Sequence, residues 1–406
     1  MIDESSLETT LRPLIEVDTS NPPGKNYGKI ANVLKEQLAS TDCEIKLVRT
    51  PRERLKELVK ETEGTMGERV NLVATLDRGE GKTFILNAHV DVVPVGSGWT
   101  RPPFELTRTG REWYGRGVSD DKGPLAMLVL VFRELAKVSD WRGKIVLEAT
   151  VDEEIGGYTG LGYLLDKGII NGNYCIVGDG EIDSITNASN GRLRFRVTIK
   201  GKSVHASMNW RGINAVEKAA KLITRLEAYN RVLNTRRSKV PTNPESGVEY
   251  LTPSLTVGLI RGGIKVNIVP DRCVIEADRR VIPEEKKPEA AREFEKILEE
   301  FKREDKYFNY ELEVGGFHNS FYTPEDNELI TTLSHAYEEV TKRKGRVLGG
   351  LGCYDASYVA KHNIPVLAFG ASRVDSNVHG IDEHVKIDDL IDFGLIVKET
   401  ILRMLK

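Results

Sequence analysis

A chain of 406 residues exceeds the ~250–300 at which single cores stop growing, so two domains are expected. Hydrophobic residues at 40% and charged residues at 29% exclude wholesale disorder. A formal net charge of −3 leaves no basic excess for a nucleic-acid partner, and no run approaches the ~18 apolar residues of a membrane-spanning helix.

The opening Met1-Ile2-Asp3-Glu4-Ser5-Ser6 has neither the positive nor the apolar stretch of a signal peptide, so the cytoplasm is the expected compartment. Cys43, Cys175, Cys273 and Cys353 are scattered without C-x-x-C spacing. They read as buried or free thiols, not as a disulfide framework or a thiolate metal site.

Residues 7–40 read as helix on both sides of Thr19-Ser20-Asn21-Pro22-Pro23-Gly24, where two prolines and a glycine force a break. Residues 70–76 and 83–87 read as a pair of strands joined by a turn at 79–81, the second running into His89-Val90-Asp91. Residues 123–137 carry Leu125, Leu128, Val129, Phe132 and Leu135 at helical spacing. Strand 144–150 leads into Asp152-Glu153-Glu154, and strand 174–177 into Gly178-Asp179-Gly180. Three times a short apolar strand ends in acids or a histidine, the place where α/β proteins put their sites.

From Gly191 the order changes to strand 192–200, helix 215–229, strands 254–260 and 273–281, helix 288–302 and strand 308–314. That βα-ββ-αβ order, with 234–246 as a long loop, predicts a two-layer α/β sandwich inserted into an α/β domain. Helix 327–341, strand 365–369 and a final helix from Ile387 resume the first pattern. The expected division is a discontinuous catalytic domain, 1–188 and 316–406, with the insert at 189–315.

His89 and Asp91, two apart on a strand, point to the same side. Asp91 either orients the imidazole or is itself a ligand. At Asp120-Asp121-Lys122-Gly123-Pro124, a helix N-cap accounts for Asp121 but not for two adjacent acids. One carboxylate shared between two cations would. Adjacent side chains diverge, so of Glu153 and Glu154 one can ligate a metal and the other serve as general base. Crowded carboxylates raise one another's pKa, and divalent cations relieve that penalty. Asp179 is the fourth element, and the segment holding His379 and His384 the fifth. Each alone also suits a solvated turn, but five in this order do not. Nitrogen and oxygen ligands without a thiolate suit zinc, cobalt or manganese.

The segments Asn87-Ala88-His89-Val90-Asp91-Val92-Val93-Pro94, Tyr114-Gly115-Arg116-Gly117-Val118-Ser119-Asp120-Asp121-Lys122-Gly123, Asp152-Glu153-Glu154 and Asn377-Val378-His379 resemble one known family. It is that of the co-catalytic zinc amidohydrolases and peptidases, which includes acetylornithine deacetylase, succinyl-diaminopimelate desuccinylase, aminoacylase, carboxypeptidase G and the carnosinase-type dipeptidases. The resemblance runs nearly end to end. It implies a zinc-exopeptidase-like domain, a mixed sheet flanked by helices, with a ferredoxin-like lid and dimerisation domain inserted. It implies His89 and Asp179 on one metal, Glu154 and His379 on the other, and Asp120 bridging both. Glu153 is then the general base and Asp91 the partner of His89. His205, in Gly201-Lys202-Ser203-Val204-His205, is implied to stabilise the oxyanion, often across a dimer interface; Asn267 and Arg280 are implied substrate contacts.

The chain departs from the deacylase pattern at Asp179, where Glu is usual, and at Asp-Asp-Lys-Gly-Pro, both closer to the dipeptidases. Cys353-Tyr354-Asp355 replaces the usual Thr-x-Asp. The expected function is amide hydrolysis of an N-acyl amino acid by a cytoplasmic homodimer, with a dipeptidase as the alternative and a non-catalytic binding protein as a remote one. A binding protein should lack a ligand or the base, and none is missing.

Overall fold

The structure, a computed structural model, describes residues 2–51, 53, 55 and 67–406. The chain divides into two units, Met1–Asn187 with Tyr322–Leu348 and Tyr354–Lys406, and Ala188–Phe321 with Gly349–Cys353.

Helices α1 (Glu4–Ile15) and α2 (Tyr27–Leu38) come first, then strands β1 (Glu44–Arg49), β2 (Val70–Arg78) and β3 (Thr83–His89). Two short strands follow, β4 (Thr107–Thr109) and β5 (Glu112–Tyr114), and then α3 (Lys122–Lys137), β6 (Gly143–Thr150), α4 (Leu161–Asp166), β7 (Tyr174–Val177) and β8 (Ser184–Ser189). The insert contributes β9 (Gly191–Lys200), α5 (Ala215–Leu233), β10 (Ser254–Gly262), β11 (Arg272–Val281), α6 (Lys287–Glu304) and β12 (Asn309–His318). The chain closes with β13 (Phe321–Tyr322), α7 (Glu328–Thr341), β14 (Arg346–Gly350), α8 (Ala356–Lys361), β15 (Val366–Ala368), β16 (His384–Lys386) and α9 (Ile387–Leu405).

The large sheet runs β1-β2-β6-β3-β7-β15-β8-β13, with β14 on β8. β3 is parallel to both β6 and β7. A central parallel strand must be covered on both faces, and β3 is buried from Phe84 to His89. The helix α3 is buried continuously from Lys122 to Phe132, so it reads as apolar nearly all round and not as a simple stripe. In the register His89 lies beside Thr150 and Asn87 beside Val177. The carboxyl ends of β3, β6 and β7 therefore open on one edge of the sheet.

One expectation needs correction. β2 and β3, read as a joined pair, do not bond to each other: β6 lies between them, antiparallel to β2 and parallel to β3. Closeness in sequence favoured a hairpin, but the buried apolar strand β6 takes the place between them. The strand β8 also has no apolar signature. Its sequence, Ser-Ile-Thr-Asn-Ala-Ser, is nevertheless buried throughout, and Asn187 Nδ2 donates to the Thr323 carbonyl at 2.8 Å.

The second unit has the order β10-β11-β9-β12, antiparallel throughout. Along β9, Leu193, Phe195, Val197 and Ile199 alternate into a core shared with α5 and α6. The α6 stripe of Ala290, Phe294, Leu298 and Phe301 faces it, and the Phe294 ring stacks on Phe195 with centroids 3.9 Å apart. Truncating Phe294 to Ala should therefore cost about 3–5 kcal/mol. Urea unfolding measures this; a cost near zero would mean that the stacked pair does not hold the unit.

Candidate metal centre

His89, the last residue of β3, donates from Nδ1 to the Asp91 carbonyl at 2.9 Å. Its Nε2 lies 2.9 Å from Asp120 Oδ1. The other oxygen of Asp120 lies 3.1 Å from His379 Nε2, which is also 3.1 Å from the Glu154 carboxylate. Among the described residues Asp120, Glu154 and His379 offer ligand atoms that all lie within 4.8 Å of one another. Asp120 thus turns one oxygen to each histidine, the arrangement a bridging carboxylate requires. Asp179, just beyond β7, meets this group through charge: burial first, then Asp120, raise its pKa to about 7.

Asp91 meets His89 and also reaches further. Its carboxylate stands 3.7 Å from His89 Nδ1, and the main-chain carbonyl makes the orienting contact instead. The carboxylate accepts from the amides of Glu153 and Glu154, both at 3.2 Å, and from Asn21 Nδ2 at 2.9 Å. The short reach of an aspartate two residues on sends the side chain to the neighbouring turn. Asp91 therefore holds the imidazole through its main chain and the glutamate amides through its side chain.

Two further residues assemble the site. Glu383 and Arg116 form a buried pair at 2.7 Å, at 1% and 2% exposure. Glu383 also accepts from the amides of Gly117, Ser119 and Asp120 at 2.9, 2.9 and 3.1 Å. Arg116 donates onward to the carbonyls of His379 and Gly380. This pair joins the Asp120 loop to the His379 loop, where His379 itself sits at φ 62. Both residues lie in segments singled out by sequence, yet nothing local marked them as partners. His384 takes no part; it stacks on Tyr114, ring centroids 5.1 Å apart.

Charge is crowded here. Burial raises the pKa of Glu154, with Asp120 adding to it. Burial also raises Glu153 well above the carboxylate range, with His89 opposing and Asp355 and Glu154 reinforcing it. Asp121, which accepts from the His89 amide at 3.1 Å, is raised likewise by burial and by Asp179 and Asp120. Burial works against ionisation of Asp120 too, but hydrogen bonds from His379 and His89 hold it well below its ordinary value. Asp120 and then Glu154 raise His379 to about 10. His89 is raised despite its burial, chiefly by Asp120.

The remaining candidates lie in the second unit. His205 is exposed, and its Nδ1 accepts from the Ser207 amide at 3.2 Å. Asn267 is exposed, and its carbonyl accepts from the Ala206 amide at 3.0 Å. Of the adjacent arginines, Arg279 is buried against Glu285 at 2.8 Å. Arg280 is a third exposed, paired with Asp278 at 2.9 Å, with Nη1 3.4 Å from Cys353 Sγ.

The model of peptidase family M20/M25/M40 matches residues 85–403. The chain belongs to this family. It is 28% identical to the probable succinyl-diaminopimelate desuccinylase of Staphylococcus aureus strain N315, over 98% of this chain and 97% of that protein. It is 27% identical to the succinyl-diaminopimelate desuccinylase of Hydrogenovibrio crunogenus, over 84% and 88%. The fold is shared with an M20 family metallo-carboxypeptidase of Sulfolobus solfataricus at a TM-score of 0.78 and 20% identity, covering 98% and 99%. The chain is therefore a metal-dependent hydrolase of amide bonds.

The residues present fit metal ions. Several carboxylates share a pocket in which they cannot all ionise unaided, and both histidines are left holding protons by the acids around them. Cations balance that charge and displace those protons. Because His379 keeps its proton up to about pH 10, protons compete with metal below that value and affinity should rise with pH towards it. Zinc added to metal-free protein at pH 7 should release protons, read by titration calorimetry in buffers of different ionisation enthalpy. A pH-independent affinity would exclude these histidines from the centre.

Proposed function

We propose that this protein hydrolyses the amide bond of an N-acyl amino acid, giving a carboxylate and a free amine. The observation that carries the reading is the Asp120 carboxylate, placed with one oxygen towards His89 and the other towards His379. In this reading His89 and Asp179 hold one divalent ion, Glu154 and His379 a second, and Asp120 both. The donor set suits zinc, with cobalt or manganese able to replace it. When bound, such ions supply Lewis acidity and make water a better acid.

Glu153 takes the proton from the attacking water and returns it to the leaving amine. A pKa raised by burial suits a group that must both accept and give a proton. His205 Nδ1 is taken up by the amide and hydroxyl of Ser207, which leaves Nε2 as the nitrogen assigned to the oxyanion. Arg280 is assigned to the substrate carboxylate, since its guanidinium is the one of its pair left outside the core. Asn267 is assigned to the substrate amide. The assembly proposed is a homodimer.

The desuccinylases to which the chain is similar support an acylated substrate. Asp179 and Asp-Asp-Lys-Gly-Pro favour a second reading, hydrolysis of unblocked dipeptides. Zinc-loaded protein should be offered N-acetyl and N-succinyl amino acids beside free dipeptides, with released primary amine as the signal. Turnover of the acylated set alone is expected; turnover of free dipeptides alone would replace the first reading with the second. Glu153→Ala should lower kcat by roughly 10²–10⁴ while metal stoichiometry, measured by elemental analysis, stays native. Retained turnover would remove Glu153 from the role of base.

A further inference from the structure

The segment from Thr19 to Gly24, legible in sequence only as a break between helices, has a specific place. The Asn21 amide donates to the Val92 carbonyl at 2.8 Å, and Ser20 bridges to Val92. Asn21 is thereby carried to Asp91, and its Nδ2 serves two carboxylates, Asp91 at 2.9 Å and Asp152 at 3.1 Å.

Asp152 immediately precedes Glu153 and lies in the left-handed region, at φ 65 and ψ 22. Non-glycine residues are uncommon there, and such a conformation persists only where the surroundings over-determine it. Here they do. The Asp152 carboxylate also accepts from the Tyr27 hydroxyl at 2.9 Å, from Arg69 Nε at 2.8 Å and from the Thr159 hydroxyl. All five residues are at 1% exposure or less. Arg69 Nη1 continues to the carbonyls of Pro23 and Gly67, both at 3.0 Å. Its guanidinium lies so close to Gly24 that a Cβ there would fall 2.8 Å from the Cζ. The Asp152 carbonyl closes the turn by accepting from the Gly157 amide at 2.6 Å.

We propose that Asp152 is the positioning residue for Glu153, acting through a buried clamp of Asn21, Tyr27, Arg69 and Thr159. The proposal rests on Glu153 as the base. Glu153 is gripped on two sides: Asp91 takes its amide, and Asp152 sets the backbone direction from which its side chain departs. Asn21 couples the two grips with a single amide group. Charge-assisted hydrogen bonds in a low-dielectric surrounding are the stiff kind. A base displaced by about 1 Å can lose ~100-fold in rate.

Tyr27→Phe and Thr159→Val each remove one hydroxyl from Asp152, and Thr159→Ser keeps it. In the zinc-loaded full chain, with the panel substrate turned over fastest by the native protein, the first two should lower kcat about 10- to 100-fold. KM should stay within about twofold, and Thr159→Ser should keep native kcat. Hydrogen exchange followed by mass spectrometry gives a readout that needs no substrate. The amides of Ile155, Gly156 and Gly157 should exchange faster in Tyr27→Phe and Thr159→Val, while peptides from β3 and β6 keep native protection. Native exchange in the 152–157 peptide of both variants overturns the proposal. So does uniformly faster exchange across the first unit, which marks a structural role only. Turnover retained in Glu153→Ala would instead sink the base assignment, and the exchange result would still judge the clamp.

Discussion

Glu383 accepts four hydrogen bonds in the interior, one from Arg116 and three from the amides of Gly117, Ser119 and Asp120, and Arg116 passes the connection on to the carbonyl of His379. That pair adds a side-chain tie between the Asp120 loop and the His379 loop to the main-chain pairing of β5 with β16. A buried ion pair gains little over a hydrophobic one of the same shape, but removing one partner leaves an uncompensated charge at a cost of about 3–5 kcal/mol. Its worth here is geometric. It sets where the two oxygens of Asp120 stand relative to two imidazoles that come from distant parts of the chain.

The same logic governs the acids. Parallel β3, β6 and β7 deliver His89, Asp152-Glu153-Glu154 and Asp179 to one edge because parallel strands end together. The topology that collects ligands also collects like charge in a place where burial disfavours it. The fold answers in two ways. Acids with a supporting role, Asp91, Asp152 and Glu383, are saturated with backbone amides, an asparagine, a tyrosine or arginines. Those nearest the centre, Asp120, Glu154 and Asp179, face histidines and one another, and their charge is the kind that a divalent cation neutralises. Asp355 extends the pattern: among the described residues both its oxygens are buried without a hydrogen-bond partner, and burial raises it to about 7.

In the second unit, adjacent residues on one strand take opposite fates. Arg279 points inward and is consumed by Glu285, while Arg280 points to the other face beside Asp278 and Cys353. Alternation along a strand makes such a division inevitable, and the sheet's one covered face decides its sense. Cys353 belongs to this unit although the chain around it returns to the first: the Gly349 amide donates to the Pro241 carbonyl, and the Gly350 carbonyl accepts from the Asn190 amide.

Much of this was readable in the residues alone. Apolar strands ending in acids, helical spacing in α3, and the βα-ββ-αβ order of the insert are local patterns, and local pattern is what a linear sequence records. The residue types in those segments suited a metal centre, and the family resemblance implied the roles of His89, Asp120, Glu153, Glu154, Asp179 and His379. Other features were decided only by the folded chain: the place of β6 between β2 and β3, the buried polar strand β8, the reach of the Asp91 carboxylate to the glutamate amides, and the pairings of Arg116 with Glu383 and Arg69 with Asp152. Those partners stand 267 and 83 residues apart. No spacing rule links them, because their meeting depends on how the strands are ordered in the sheet and where the loops between them run.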